Sequence, residues 1–123
     1  MPDNKIITDR EKMLKAVKKD GSALQYADDT LKADRELVLE AVKNKGFALE
    51  SASDTLKADR EVVLEAVKNK GFALQYASDN LKADREVVLE AIRDYDFGYG
   101  GGGLKYASKE LQNDPELKKL AEG

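Results

Sequence analysis

"LKADRELVLEAVKNKGFALESASDT" and "LKADREVVLEAVKNKGFALQYASDN" follow one another without a break, and a third copy, "LKADREVVLEAIRDYDF", follows them. Arg10, Arg35, Arg60 and Arg85 give the period, each lying 25 residues from the next. This repeat constrains the fold more than any other feature. A unit so short cannot bury its own apolar face, so it must stack on copies of itself. Starting each unit at the aspartate before the arginine gives Asp9–Ala33, Asp34–Ala58, Asp59–Ala83 and Asp84–Asn113. A fifth start, "DPELKKLAEG", begins at Asp114.

Each unit reads as two helices. In Asp59–Ala83, Asp59 is a good N-cap for the free N–H groups of a first turn. Glu61 then lies near the positive end of the helix dipole, and Lys68 and Lys70 near the negative end. Val62, Val63, Leu64, Ala66 and Val67 occupy roughly 200° of the helix surface at 100° per residue, a face wide enough to meet neighbours on two sides. Glu61, Glu65, Lys68 and Asn69 fill the solvated remainder. Gly71 is expected to supply a left-handed C-terminal position. Ala73, Leu74, Ala77 and Leu81 form a single stripe for a shorter second helix, whose end Ser78 and Asp79 loosen. Lys12 stands where later units carry Leu37, Val62 and Val87, and Lys118 and Lys119 stand at the Val63 and Leu64 positions. Both end units are therefore expected to present polar caps.

"LKADREVVLEAVKNKGFALQYAS" (Leu56–Ser78) resembles a family of short tandem repeats found mostly in bacteria, protists and large viruses, catalogued only as a domain of unknown function. The resemblance runs from about Asp9 to Asp114. It implies tandem helical pairs and carries no catalytic residues with it. The chain departs from the pattern at Ser22, where Phe47 and Phe72 stand, at Ser51, where Tyr26 and Tyr76 stand, and across Asp96–Gly103.

Composition narrows the function. The chain of 123 residues is the size of one domain, and its net charge of −3 lacks the basic excess that nucleic-acid binding requires. It contains no cysteine, and no apolar run approaches the ~20 residues of a membrane span. The start lacks the apolar core of a signal peptide. These features are expected of a soluble, cytoplasmic monomer. There is no histidine either, so the usual general base near neutral pH is missing, and no catalytic, cofactor or metal site is expected.

Three features are candidate interaction sites. Arg10, Arg35, Arg60 and Arg85 project from the apolar side of the first helix. They form either structural bridges to carboxylates such as Asp54 or Asp79, or a row of forks for an anionic ligand. Tyr26, Tyr76 and Tyr106, with Phe47 and Phe72, are either packing between helices or binding anchors, and Ser51 is either a gap in the row or a smaller contact. Unit four is longer by an insertion of five residues, which lie within Gly98–Gly103, since Phe97 keeps the period and Leu104 lies 30 residues after Leu74. No Gly-Lys-Ser/Thr follows it, and Tyr99 and Lys105 stand where a calcium loop needs Gly and Glu. It is either a tolerated surface insertion or a partner-contacting loop with Tyr95 and Tyr99 as its anchors. The expected architecture is an all-α solenoid of four two-helix repeats with a short C-terminal capping helix, taken as right-handed by analogy with other helical-pair repeats. Its expected function is a non-enzymatic scaffold for protein–protein interaction. The alternative is a small anionic-ligand module using the arginines or the glycine-rich loop.

Overall fold

Each unit opens on an aspartate whose carboxylate closes the first turn of a helix. In this computed structural model, which describes residues 7–93 and 103–122, the long helices are α1 (Arg10–Lys19), α3 (Arg35–Asn44), α5 (Arg60–Asn69) and α7 (Arg85–Ile92), followed by α9 (Pro115–Glu122). Asp9, Asp34, Asp59, Asp84 and Asp114 accept the N–H of the residue three places on, at 3.0–3.2 Å. The charges follow the helix dipole as expected, with Glu36 and Glu61 in first turns and Lys43 and Lys68 in last turns.

The second half of the unit is not one helix. It is a 3-10 turn followed by a single α turn. The 3-10 turns are Gly21–Tyr26, Gly46–Ser51, Gly71–Tyr76 and Leu104–Tyr106. The short helices are α2 (Asp29–Lys32), α4 (Asp54–Lys57), α6 (Asp79–Lys82) and α8 (Lys109–Gln112). Between them the chain is extended, as at Ala77 with φ −75° and ψ 161°. The break has a tertiary cause. Ser53, Ser78 and Ser108 donate their N–H to the carbonyls of Lys32, Lys57 and Lys82 in the preceding unit, each at 2.9 Å. Asp28 makes the same bond to Ile7 at 3.0 Å, which pairs Ile7 with Ala27 in an isolated bridge. A cross-unit bond replaces an intrahelical one, and Ser53 and Ser108 restart the helix by capping Leu56 and Leu111.

The units stack in register. Each long helix packs on the next, α1 on α3 through α7 on α9, and the 3-10 turns form a second row beside them. Each short helix packs on the long helix that follows it. The result is an all-α repeat solenoid with one continuous core. Leu37, Val62, Val87 and Leu117 are fully buried, whereas Lys12 at the equivalent place is exposed. Met13, Val38, Val63 and Val88 are fully buried, whereas Lys118 is exposed. The first set therefore faces the preceding unit and the second set the following one, and the end-unit lysines occupy positions that no neighbour covers. Leu64, expected in the core, is only half-buried beside Val62, Val63, Ala66 and Val67. Two flanking helices cover those four, and Leu64 lies at the margin between them and solvent. The stripe Ala73, Leu74, Ala77 and Leu81 is buried despite the break. No described helix is long and apolar enough to cross a membrane.

The glycine after each long helix has a different purpose from the expected left-handed cap. The helices end in extended backbone at Asp20, Lys45 and Lys70, and the glycine opens the 3-10 turn. A Cβ on Gly46 would lie 2.5 Å from the Ala66 carbonyl oxygen of the next unit, and one on Gly21 would overlap the Ala41 oxygen. Glycine is required because neighbouring backbones touch there.

Candidate interaction site

The arginine stands at the first position of each long helix, directly after the capping aspartate. That is the positive end of the dipole, an unfavourable place for a cation without a partner. Each arginine finds one by reaching into the next unit. Arg10 Nε donates to Asp34 Oδ2 at 2.5 Å, and its Nη2 to Asp34 Oδ1 at 3.2 Å and Glu36 Oε1 at 2.7 Å. Arg35 meets Asp59 at 2.7 and 3.3 Å and also bonds Glu61. Arg60 meets Asp84 at 2.8 and 3.5 Å and also bonds Glu86. Arg85 bonds Glu116 and lies 3.7 Å from Asp114. The partners are thus the next unit's N-cap and first-turn glutamate rather than Asp54 or Asp79. Glu61, assigned to the solvated face, is a bridge residue. The distances follow from the stacking, which sets the start of one long helix beside the start of the next.

This ladder lies at the surface. Its arginine side chains are 43–46% exposed and its aspartates 23–27%. The arginine hydrogen bonds hold the carboxyls of Asp34, Asp59 and Asp84 below the usual carboxylate range. Backbone bonds, led by Leu117 N–H, do the same for Asp114. The four guanidiniums and the eight carboxylates they face sum to a formal charge of −4.

The other end of the long helices carries a second ladder, absent from the sequence reading. Asn44 Oδ1 accepts Gly21 N–H at 2.6 Å, and its Nδ2 donates to the Lys18 carbonyl at 3.3 Å. Asn69 does the same for Gly46 N–H at 2.6 Å and the Lys43 carbonyl at 3.1 Å. One amide satisfies an orphan carbonyl at the preceding helix end and the N–H that opens the preceding 3-10 turn. The repeated "NKG" in "VKNKGFAL" is the signal of this ladder in the sequence.

The aromatics form two parallel rows on the 3-10 face. The phenylalanine of one unit packs edge-to-face on the tyrosine of the next, Phe47 on Tyr76 at 6.4 Å and Phe72 on Tyr106 at 5.9 Å. Lys105 Nζ lies 5.5 Å from the Phe72 ring and 5.2 Å from the Tyr106 ring. Burial pushes the Tyr76 phenol up, with Glu50 adding to the shift. Tyr76 and Tyr106 are thus inter-unit packing, whereas Tyr26 is exposed. The rows also relate the two departures from the repeat. Ser22 holds the phenylalanine position of unit one and Ser51 the tyrosine position of unit two, so they are the two halves of one missing pair. In its place is a cavity of about 260 Å³ bounded by Ser22, Gln25, Lys45, Phe47, Glu50 and Ser51. A second, of about 590 Å³, shares Gln25, Glu50 and Ser51 and extends to Asp29, Lys32 and Asp54. Tyr26 and Phe47, next to the serines in their rows, are 49% and 40% exposed.

Tyr95 and Tyr99, and the glycine-rich stretch as far as Gly102, lie outside the described residues. The register is restored after them, since Tyr106 takes the ring position of Tyr76 and Ser108 makes the cross-unit bond of Ser78.

Residues 9–57 and 59–100 match a family described as a domain of unknown function, DUF4116. No curated protein and no solved structure matches the chain. The match spans the four arginines, the asparagine ladder and both serines of the missing pair, and the chain belongs to this DUF4116 family of tandem repeats.

Proposed function

We propose that the chain is a non-enzymatic helical-repeat scaffold that binds another protein through the face formed by its 3-10 turns. The observation that carries this reading is the exposure of Tyr26 and Phe47 on this face, with Phe47 lining an open recess. Exposed large aromatics are common anchors of protein recognition. The rival reading, an anionic-ligand module, is less well supported at the arginines. Each one already bonds two carboxylates or lies beside them, and these carboxylates outnumber the arginines.

The test is affinity capture with the wild type and a Tyr26→Ser/Phe47→Ser variant shown by circular dichroism to be folded. A specific protein retained by the wild type and lost by the variant is the expected result. Identical captured sets would reject this face as the binding surface. Capture that depends on Arg35 and Arg60 instead would favour the anionic ligand.

A further inference from the structure

We infer that the recess between Ser22 and Ser51 is a receptor for a single tyrosine side chain of a partner polypeptide. This deepens the scaffold reading and rests on it. The molecule itself points to the occupant. At the two equivalent steps along the solenoid the same position is filled by a ring pair, Phe47 with Tyr76 and Phe72 with Tyr106. At the first step both contributors are serine, and space remains. A substitution of one ring alone would leave the other as a lone ring. Loss of both opens the slot from the two sides while its third wall, Phe47, stays in place.

The volume and lining suit a phenol. An apolar cavity of about 150 Å³ suffices for benzene, and this one is about 260 Å³. Phe47 offers an aromatic surface for edge-to-face contact. Lys45 lies on the rim, where its ammonium can approach the face of an entering ring. Ser22 Oγ already donates to Asp20 at 2.7 Å and Gln25 Nε2 to the Ser22 carbonyl at 3.1 Å, so Glu50 and the Ser51 hydroxyl are the lining groups best placed to bond the phenol hydroxyl. A phenylalanine offers no hydroxyl to Glu50 and Ser51, so the lining favours tyrosine.

The experiment uses p-cresol, the tyrosine side chain without its backbone, titrated into the 15N-labelled full chain. Saturable shifts of the Ser22, Gln25, Phe47 and Ser51 amides are expected, with toluene binding more weakly. In Ser22→Phe/Ser51→Tyr the slot is filled from within. That variant should melt at a higher temperature than the wild type and show none of these shifts. If it folds poorly, Ser51→Tyr alone, which adds one ring at a half-exposed position, carries the same test. Absence of saturable shifts in the wild type, or equal shifts in the filled variant, would overturn the receptor. Toluene binding as well as p-cresol would overturn the choice of tyrosine. A partner captured equally by wild type and filled variant would leave the scaffold reading intact and remove this site. Clear p-cresol binding with no captured protein would do the reverse.

Discussion

Asp59 serves two helices with one carboxylate. Its Oδ1 caps α5 through Val62 N–H, and its Oδ2 accepts from Arg35 of the unit before. Asparagine caps as well as aspartate but carries no charge. Asp59→Ala should therefore lower stability by about 1 kcal/mol, and Asp59→Asn by clearly less, as read by urea denaturation. Equal losses would mean that the bridge and not the cap dominates. Half-buried and buried leucines give a second comparison. Leu74→Ala should cost about 2–5 kcal/mol. Leu64→Ala, at the margin of the core, should cost distinctly less. The binary pattern placed Leu64 and Val63 on one face. It could not grade them, because burial depends on how far the neighbouring helix reaches.

At the scale of the element, the junction between long helix and 3-10 turn is where units are locked together. Alanine in place of glycine ordinarily stabilises a helix. Gly46→Ala should do the opposite, by about 1–3 kcal/mol, because the new methyl meets a backbone oxygen that cannot move aside. Asn69→Ala should also destabilise, by about 1–3 kcal/mol, through the buried Gly46 N–H it leaves unpaired. Amide exchange at Gly46 should accelerate in that variant, and an unchanged rate would show that another acceptor replaces Asn69. The stripe Ala73, Leu74, Ala77, Leu81 was legible as apolar spacing, but its division was not. Residues three apart share a face in a 3-10 turn as they do in an α-helix, so the spacing fits both.

Across the whole molecule, each unit touches only its neighbours, so stability should be greatest where a unit has two of them. Hydrogen exchange should be slowest in α3 and α5 and faster in α1 and α9. Uniform protection would contradict a stack held by nearest-neighbour contacts. The ladder also links stability to pH. Asp34, Asp59 and Asp84 titrate lower folded than unfolded, so their contribution is complete above the unfolded value of about 3.9. It is lost as pH falls from about 4 through the lower folded values. Melting temperature should be steady from neutral pH to about 5 and fall below that, with only a modest ladder share because the groups are partly exposed. Arg35→Met/Arg60→Met should flatten that acid limb, and an unchanged limb would assign it to other carboxylates.

The period, the capping aspartates, the wide apolar face and the solenoid class follow from the sequence alone, since each is a property of one unit and its repetition. Even the polar positions Lys12 and Lys118 were legible, because one unit differs from its copies there. What only the tertiary structure decided lies between units. The arginines pair forward to Asp34, Asp59 and Asp84, the asparagines pair backward to Gly21 and Gly46, and Ser22 and Ser51 turn out to share one slot although 29 positions separate them. The physical reason is the same for all three. The offset between stacked units arises from how bulky side chains and close-set glycines let two backbones approach, and a pattern written within one unit does not contain that distance.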